Sequence, residues 1–104
     1  MKKVLIICAG GMSSSLIAKK TTEFLQKQGE DIEIDATSVT QANGMILESN
    51  FDLFLISPQT KMYLEKFVKL GKQVNKAVIG IPFQAYIPTP AGIEKMGALV
   101  KENI

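Results

Sequence analysis

The chain has 104 residues, 46% hydrophobic and 21% charged, with a formal net charge of +2, which predicts one globular domain over residues 1–104. Arginine is absent and the lysines and acids are interspersed, which argues against a nucleic-acid-binding surface. Histidine is also absent and Cys8 is the only cysteine, so a Ser-His-Asp triad, an internal disulfide and a metal site of histidines or several cysteines are excluded.

The N-terminal segment has two lysines followed by a short apolar run. The run covers only residues 4–7, whereas a secretory signal needs about 7–15 apolar residues and a membrane-spanning helix about 20. We therefore interpret it as a buried strand, and we expect a cytoplasmic protein without membrane insertion.

Four short segments rich in Val, Ile, Leu and Phe predict β-strands. The first, third and fourth are nearly continuous apolar runs, which are typical of parallel strands covered on both faces. The second alternates apolar and acidic residues, which favours an edge strand with one solvated face. The predicted strands are residues 3–7, 32–37, 52–56 and 77–81.

Segments with helical periodicity alternate with these strands. The predicted helices are residues 13–28, 39–48, 58–70 and 91–102. The apolar face of the first is predicted to hold Leu16, Ile17, Thr21, Phe24 and Leu25. Gly29 is predicted to end the first helix, and Pro58 and Gly71 are predicted to bound the third.

The alternation of strands and helices predicts an α/β fold. Helical crossovers between parallel strands are right-handed, which indicates a four-stranded parallel sheet that is doubly wound, with helices on both faces. We expect the flavodoxin-like strand order 2-1-3-4, resembling low-molecular-weight tyrosine phosphatase. Such sheets bind ligands at the carboxyl ends of their strands, beside strand 1.

The segment that leaves strand 1 combines a thiol with features that bind anions. Cys8 ends the strand, two glycines permit a concave backbone, and three serines lead into a helix N-terminus. The same features stabilise a thiolate, the nucleophilic form of cysteine. This pattern predicts that Cys8 attacks a phosphoryl group and carries it. The alternative is a buried structural cysteine followed by an ordinary turn.

Two well-known phosphate loops differ from this one. A Walker A loop requires Gly-Lys-Ser/Thr, which the chain lacks. In the phosphatase loop, Cys is followed by five residues, Arg and then Ser/Thr; Cys8 and Ser15 fit its ends, but Ser14 stands at the Arg position. Because that Arg holds the phosphate through the transition state, its absence favours a carrier over a cysteine phosphatase-like protein, which stays as an alternative.

The loop, the apolar first strand, the chain length and Ser57-Pro58-Gln59 after strand 3 together resemble a known family. It is the IIB component of the lactose/cellobiose (type 3) family of the bacterial phosphoenolpyruvate-dependent sugar phosphotransferase system. The matching loop is Cys8-Ala9-Gly10-Gly11-Met12-Ser13-Ser14-Ser15. Ala9 departs from the polar residue that is common at its position in the family.

The resemblance implies that Cys8 is a phosphocysteine intermediate and that no metal or cofactor takes part. A phosphohistidine of the IIA component would be the donor, and a sugar of the cellobiose, chitobiose or lactose class, imported by the membrane-bound IIC permease, would be the acceptor. We expect the carrier itself to be a monomer. The residues implied around the phosphoryl group are Ala9, Gly10, Gly11, Met12, Ser13, Ser14 and Ser15, with Pro58 and Gln59 as a neighbouring wall.

A receiver-like or adaptor domain that acts by binding alone is another alternative on the same fold. Receivers need acidic residues after strand 1 and an aspartate after strand 3 to hold Mg²⁺. Those positions hold Cys8 and Ser57, which argues against a receiver. Phe83 and Tyr86 are predicted to pack in the core or to cover the loop rather than to face a partner.

Overall fold

A four-stranded parallel sheet forms the centre of the structure, a computed structural model that describes residues 1–10, 12–48 and 50–104. The order is β2-β1-β3-β4, which confirms the predicted order 2-1-3-4. The strands are β1 (Lys2–Cys8), β2 (Ile32–Ser38), β3 (Leu53–Ile56) and β4 (Ala77–Gly80).

Helices cover both faces of the sheet, as predicted for a doubly wound fold. Helices α1 and α4 pack together on one face, and α2 and α3 on the other. The helices are α1 (Met12–Lys27), α2 (Val39–Glu48), α3 (Leu64–Gln73) and α4 (Pro90–Glu102), and two 3-10 segments span Pro58–Tyr63 and Phe83–Ala85. None of the helices in the described ranges combines the length and the apolar character needed to span a bilayer.

Strand β1 lies between two hydrophobic cores. Val4 and Ile6 contribute to the core beneath α1 and α4, whereas Leu5 and Ile7 contribute to the core beneath α2 and α3. All four are 0% exposed, which explains why the segment is uniformly apolar. Strand alternation then places the next side chain, Cys8, on the face that α1 covers.

Helix α1 ends as predicted but buries a narrower face. Gly29 has a φ of 84°, and the amide of Glu30 donates to the carbonyl of Leu25 at 3.0 Å, which closes the helix. Ile17 is fully buried, but Leu16 is 44% exposed, so its assignment to the buried face was wrong. Leu16 lies about 100° around the helix from Ile17, beyond the stripe that meets the sheet.

The third predicted helix begins and ends differently in the structure. Its first turn is a separate 3-10 segment that is interrupted at Thr60, where φ is −115° and ψ is 19°. Gly71 does not end the helix, because α3 continues to Gln73 and Asn75 adopts the positive φ of 58°. Gly71 instead permits close packing, since a Cβ there would lie 2.6 Å from the Cγ2 of Val78.

The two aromatic residues after β4 have different environments. Tyr86 is 8% exposed and belongs to the core beneath α1 and α4, which confirms its predicted packing. Phe83 is 67% exposed, so it does not pack in the core, and the alternative that it covers the loop stays a prediction. Phe83 begins the short 3-10 segment Phe83–Ala85, where only Ala85 is buried.

Candidate functional site

Cys8 lies at the carboxyl end of β1, where the strands on either side also end. Its side chain is 6% exposed. The chain then turns through Gly10, whose φ of 111° is a conformation that side chains disfavour, and α1 begins at Met12. The first turn of α1 lies close to the thiol, because the Oγ of Ser14 is 2.8 Å from the Sγ of Cys8.

Two hydrogen bonds orient the sulfur of Cys8. The Sγ lies 2.8 Å from the Oγ of Ser14, which is itself 2% exposed. The Sγ also donates to the carbonyl oxygen of Thr37 on β2, at 3.3 Å. Because a thiol has a single hydrogen, a thiol that donates to Thr37 must accept from Ser14. The hydroxyl of Ser14 is thus directed at the sulfur.

The sulfur borders a pocket of about 270 Å³ with two walls. The first wall is the predicted loop, represented by Gly10, Ser14 and Ser15. The second wall comes from the end of β2 and the start of α2, and it consists of Ala36, Thr37, Ser38 and Gln41. None of these described lining residues carries a charged side chain.

The second wall was missed by the sequence analysis. In the parallel pairing of β1 with β2, Ser38 is the direct partner of Cys8, and α2 begins at the next residue, Val39. The signal in the sequence was the cluster of polar residues where the edge strand ends. Its distance from Cys8 becomes clear only when the register of the two strands is known.

The other predicted site residues occupy several environments. Ala9 is exposed beside Cys8 but does not line the pocket. Gly11 and the side chains of Met12 and Ser13 lie outside the described part of the chain. Their roles at a phosphoryl group stay predictions.

Pro58 and Gln59 line a separate cavity of about 440 Å³. Its other lining residues are Lys61, Ile81 and Phe83, so this cavity lies over the ends of β3 and β4. The contact of Pro58 and Gln59 with phosphate stays a prediction.

A buried polar network fixes the end of β3 beside the site. The amide of Ser57 and the hydroxyl of Thr60 both donate to the carbonyl of Ile7, at 2.9 and 3.3 Å. The Oγ atoms of Ser57 and Thr60 are 2.8 Å apart, and both residues are at most 1% exposed. This network anchors the residue before Cys8, and it places a buried serine where a receiver would present its aspartate.

Comparisons with known proteins identify the family of the chain. The family described as "PTS system, Lactose/Cellobiose specific IIB subunit" matches residues 3–96. The chain belongs to this family. Its members are components of a phosphotransferase system for sugars.

Two curated relatives are IIB components. The oligo-beta-mannoside-specific EIIB component of Bacillus subtilis (strain 168) is 36% identical over 86 residues, which cover 83% of this chain and 82% of the relative. The galactose-specific EIIB component of Lactococcus lactis subsp. cremoris (strain MG1363) is 33% identical over 85 residues, which cover 78% of this chain and 73% of the relative.

Two solved IIB structures share the fold. The lactose-specific IIB component domain of Streptococcus pneumoniae has a TM-score of 0.81 at 19% identity, and the match covers 98% of this chain and 96% of that domain. The cellobiose-specific IIB component of Borrelia burgdorferi has a TM-score of 0.72 at 20% identity, over 98% and 90% of the two chains. The sheet order and helix arrangement described above are therefore those of the IIB family.

Proposed function

We propose that this IIB component is a cytoplasmic phosphoryl carrier with Cys8 as its transient phosphocysteine. The IIA phosphohistidine protein is the donor, and a sugar bound to the IIC permease is the acceptor. The observation that supports this most strongly is the hydrogen bond of 2.8 Å between the Sγ of Cys8 and the Oγ of the buried Ser14, at the border of an uncharged pocket. The reaction is that of a protein-phosphohistidine–sugar phosphotransferase.

In the acceptance step the Sγ of Cys8 attacks the phosphorus of the donor. The S–P bond forms, the N–P bond breaks, and its electron pair stays on the imidazole nitrogen of the donor. The thiol proton is passed to that imidazole, so charge and protons balance. The Ser14 hydroxyl donates to the sulfur as negative charge develops there, and a hydrogen bond to such a charge is stronger than a neutral one.

In the donation step a sugar hydroxyl attacks the phosphorus, the S–P bond breaks, and the proton of the hydroxyl finally returns to the sulfur. Ser14 again donates to the sulfur, which now leaves as a thiolate. The pocket offers hydroxyl and amide dipoles without a guanidinium, because the chain contains no arginine. Neutral donors hold a phosphoryl group less firmly than an Arg clamp, which suits a group that must be handed on.

We assign the acceptor to β-linked sugars of the cellobiose, chitobiose or lactose class. The family description supports a sugar of this class, and the relative that is specific for oligo-beta-mannosides supports an oligosaccharide, whereas the galactose-specific relative does not. Growth and uptake measurements with the cognate permease would identify the sugar.

The carrier proposal is tested by incubating the protein with phosphorylated IIA and mapping the modified residue by mass spectrometry. We expect one added phosphoryl group, about 80 Da, on Cys8. The Cys8→Ser variant should fail to pass phosphate to the sugar in the complete transfer chain. Phosphate on a serine of the wild-type protein, or no phosphate from a donor that is competent with another IIB component, would contradict the proposal.

A further inference from the structure

The second wall of the pocket presents polar groups that have no role in the transfer steps described above. Ser38 is the direct strand partner of Cys8, so both side chains lie on the same face of the sheet. Gln41 lies in the first turn of α2 and lines the same pocket. Both residues therefore face the space into which a phosphoryl group on Cys8 would extend.

Hydrogen bonds within the wall leave donors available to a ligand. The hydroxyl of Thr37 donates to the Oε1 of Gln41 at 3.1 Å, which leaves the amide hydrogens on Nε2 with no partner among the described residues. The Oγ of Ser38 lies 2.7 Å from the Oγ1 of Thr40. When Thr40 donates in that pair, the hydroxyl hydrogen of Ser38 is free to point into the pocket.

The first wall alone offers few side-chain donors for a phosphoryl dianion. The Ser14 hydroxyl has a single hydrogen, which is engaged when it donates to the sulfur of Cys8. Ser15 supplies the other described hydroxyl of that wall. Three peripheral phosphoryl oxygens can accept more hydrogen bonds than these hydroxyls supply, so there is room for donors besides the backbone amides of the loop, and the described lining holds no cation.

We propose that Ser38 and Gln41 bind the phosphoryl group of Cys8 from the side opposite the loop, with the Nε2 of Gln41 as the principal donor. Thr37 is a positioning residue, because its hydroxyl fixes the orientation of the Gln41 amide. This inference rests on the proposed carrier function. The neutral amide of Gln41 then has part of the role that the arginine has in a phosphatase loop.

The first experiment measures anion binding without any donor protein. Cys8 is alkylated in parallel with iodoacetate, which is an anion, and with iodoacetamide, which is neutral. We expect Gln41→Leu to lower the ratio of the iodoacetate rate to the iodoacetamide rate about tenfold, as for the loss of a hydrogen bond to a charged group. Gln41→Glu should lower it further, because its carboxylate repels the reagent.

Matched variants separate this effect from nonspecific ones. Gln73 is an exposed glutamine at the end of α3, on the opposite side of the sheet from Cys8, so Gln73→Leu and Gln73→Glu should leave the ratio unchanged. Thr37→Val should lower the ratio, and Thr37→Ser, which retains the hydroxyl, should restore it. Because Gln41 is exposed, its substitution should leave the folded state intact, which far-UV circular dichroism checks.

The second experiment measures the rate at which Cys8 accepts phosphate from phosphorylated IIA, and the ³¹P chemical shift of the product. We expect Gln41→Leu to slow acceptance about tenfold and to move the ³¹P resonance. If the wild-type protein accepts phosphate on Cys8 while both Gln41 variants match it in acceptance rate, alkylation ratio and ³¹P shift, the phosphoryl-binding role of the second wall is wrong. In that case the carrier proposal still holds. If the wild-type protein accepts no phosphate, the carrier proposal itself fails.

Discussion

Replacement of Ser14 by alanine tests the central interaction of the site. The substitution removes the hydroxyl that lies 2.8 Å from the Sγ of Cys8 and adds no bulk at a residue that is 2% exposed. A hydrogen bond to a charged group contributes about 1.5–3 kcal/mol. Negative charge develops on the sulfur in both transfer steps, so the loss should slow phosphoryl transfer about 10- to 100-fold.

The same substitution should have a small effect on folding. Cys8 can still donate to the carbonyl of Thr37, at 3.3 Å, so its thiol hydrogen keeps an acceptor. The free energy of unfolding should therefore fall by about 1 kcal/mol, the typical net contribution of one hydrogen bond. Urea denaturation of the wild-type and Ser14→Ala proteins measures this difference.

The decisive assay is rapid-quench transfer from phosphorylated IIA, run beside alkylation of Cys8 by neutral iodoacetamide. Ser14→Ala should slow both reactions, because both need negative charge on the sulfur. Ser15→Ala should slow only phosphoryl transfer, since Ser15 lines the pocket, whereas the described partners of the sulfur are Ser14 and Thr37. A folded Ser14→Ala protein that transfers phosphate at the wild-type rate would refute the role given to Ser14.

Three further substitutions test the packing and hydrogen bonds of the fold. The hydroxyl of Thr21 is buried with no partner among the described residues. Thr21→Val should therefore raise the free energy of unfolding by about 1 kcal/mol. A lower urea midpoint would contradict this expectation. Gly71→Ala should lower the free energy of unfolding by about 1–3 kcal/mol, because the new Cβ would lie 2.6 Å from the Cγ2 of Val78. An unchanged urea midpoint would show that α3 can move away from β4. Thr22→Val removes the hydroxyl that accepts from the Ile34 amide, at 2.9 Å, on edge strand β2. It should lower the free energy of unfolding by about 1–3 kcal/mol, and light scattering should detect more self-association through the exposed edge. A variant that is as stable as the wild type and stays monodisperse would argue against this role.

The first wall of the site could be predicted from the sequence because its signals are local. Cys8, the glycines after it and the following serines are neighbours in the chain, and each residue type has a known effect at a strand-to-helix turn. The sheet order followed from the alternation of strands and helices. The second wall was missed because Ser38 meets Cys8 through the register of two strands that are 30 positions apart, which a linear pattern does not specify.

The errors in the fold share a physical cause. Gly71 has the residue type of a helix end, but its close approach to β4 requires a residue without a Cβ inside the helix. Leu16 and Phe83 are apolar, yet their side chains stay 44% and 67% exposed. In each case tertiary packing overrode the local preference, and local sequence carries no record of which surface an element meets.

The uncharged lining of the pocket affects the electric field outside the protein. A phosphoryl group on Cys8 brings a charge of about −1.5 to −2 at neutral pH, and no described side chain in the pocket neutralises it. The formal charge of +2 on the whole chain would then fall to nearly zero. An approaching protein would thus meet a different long-range potential before and after loading, and the rates of encounter with donor and acceptor would depend on ionic strength in different ways.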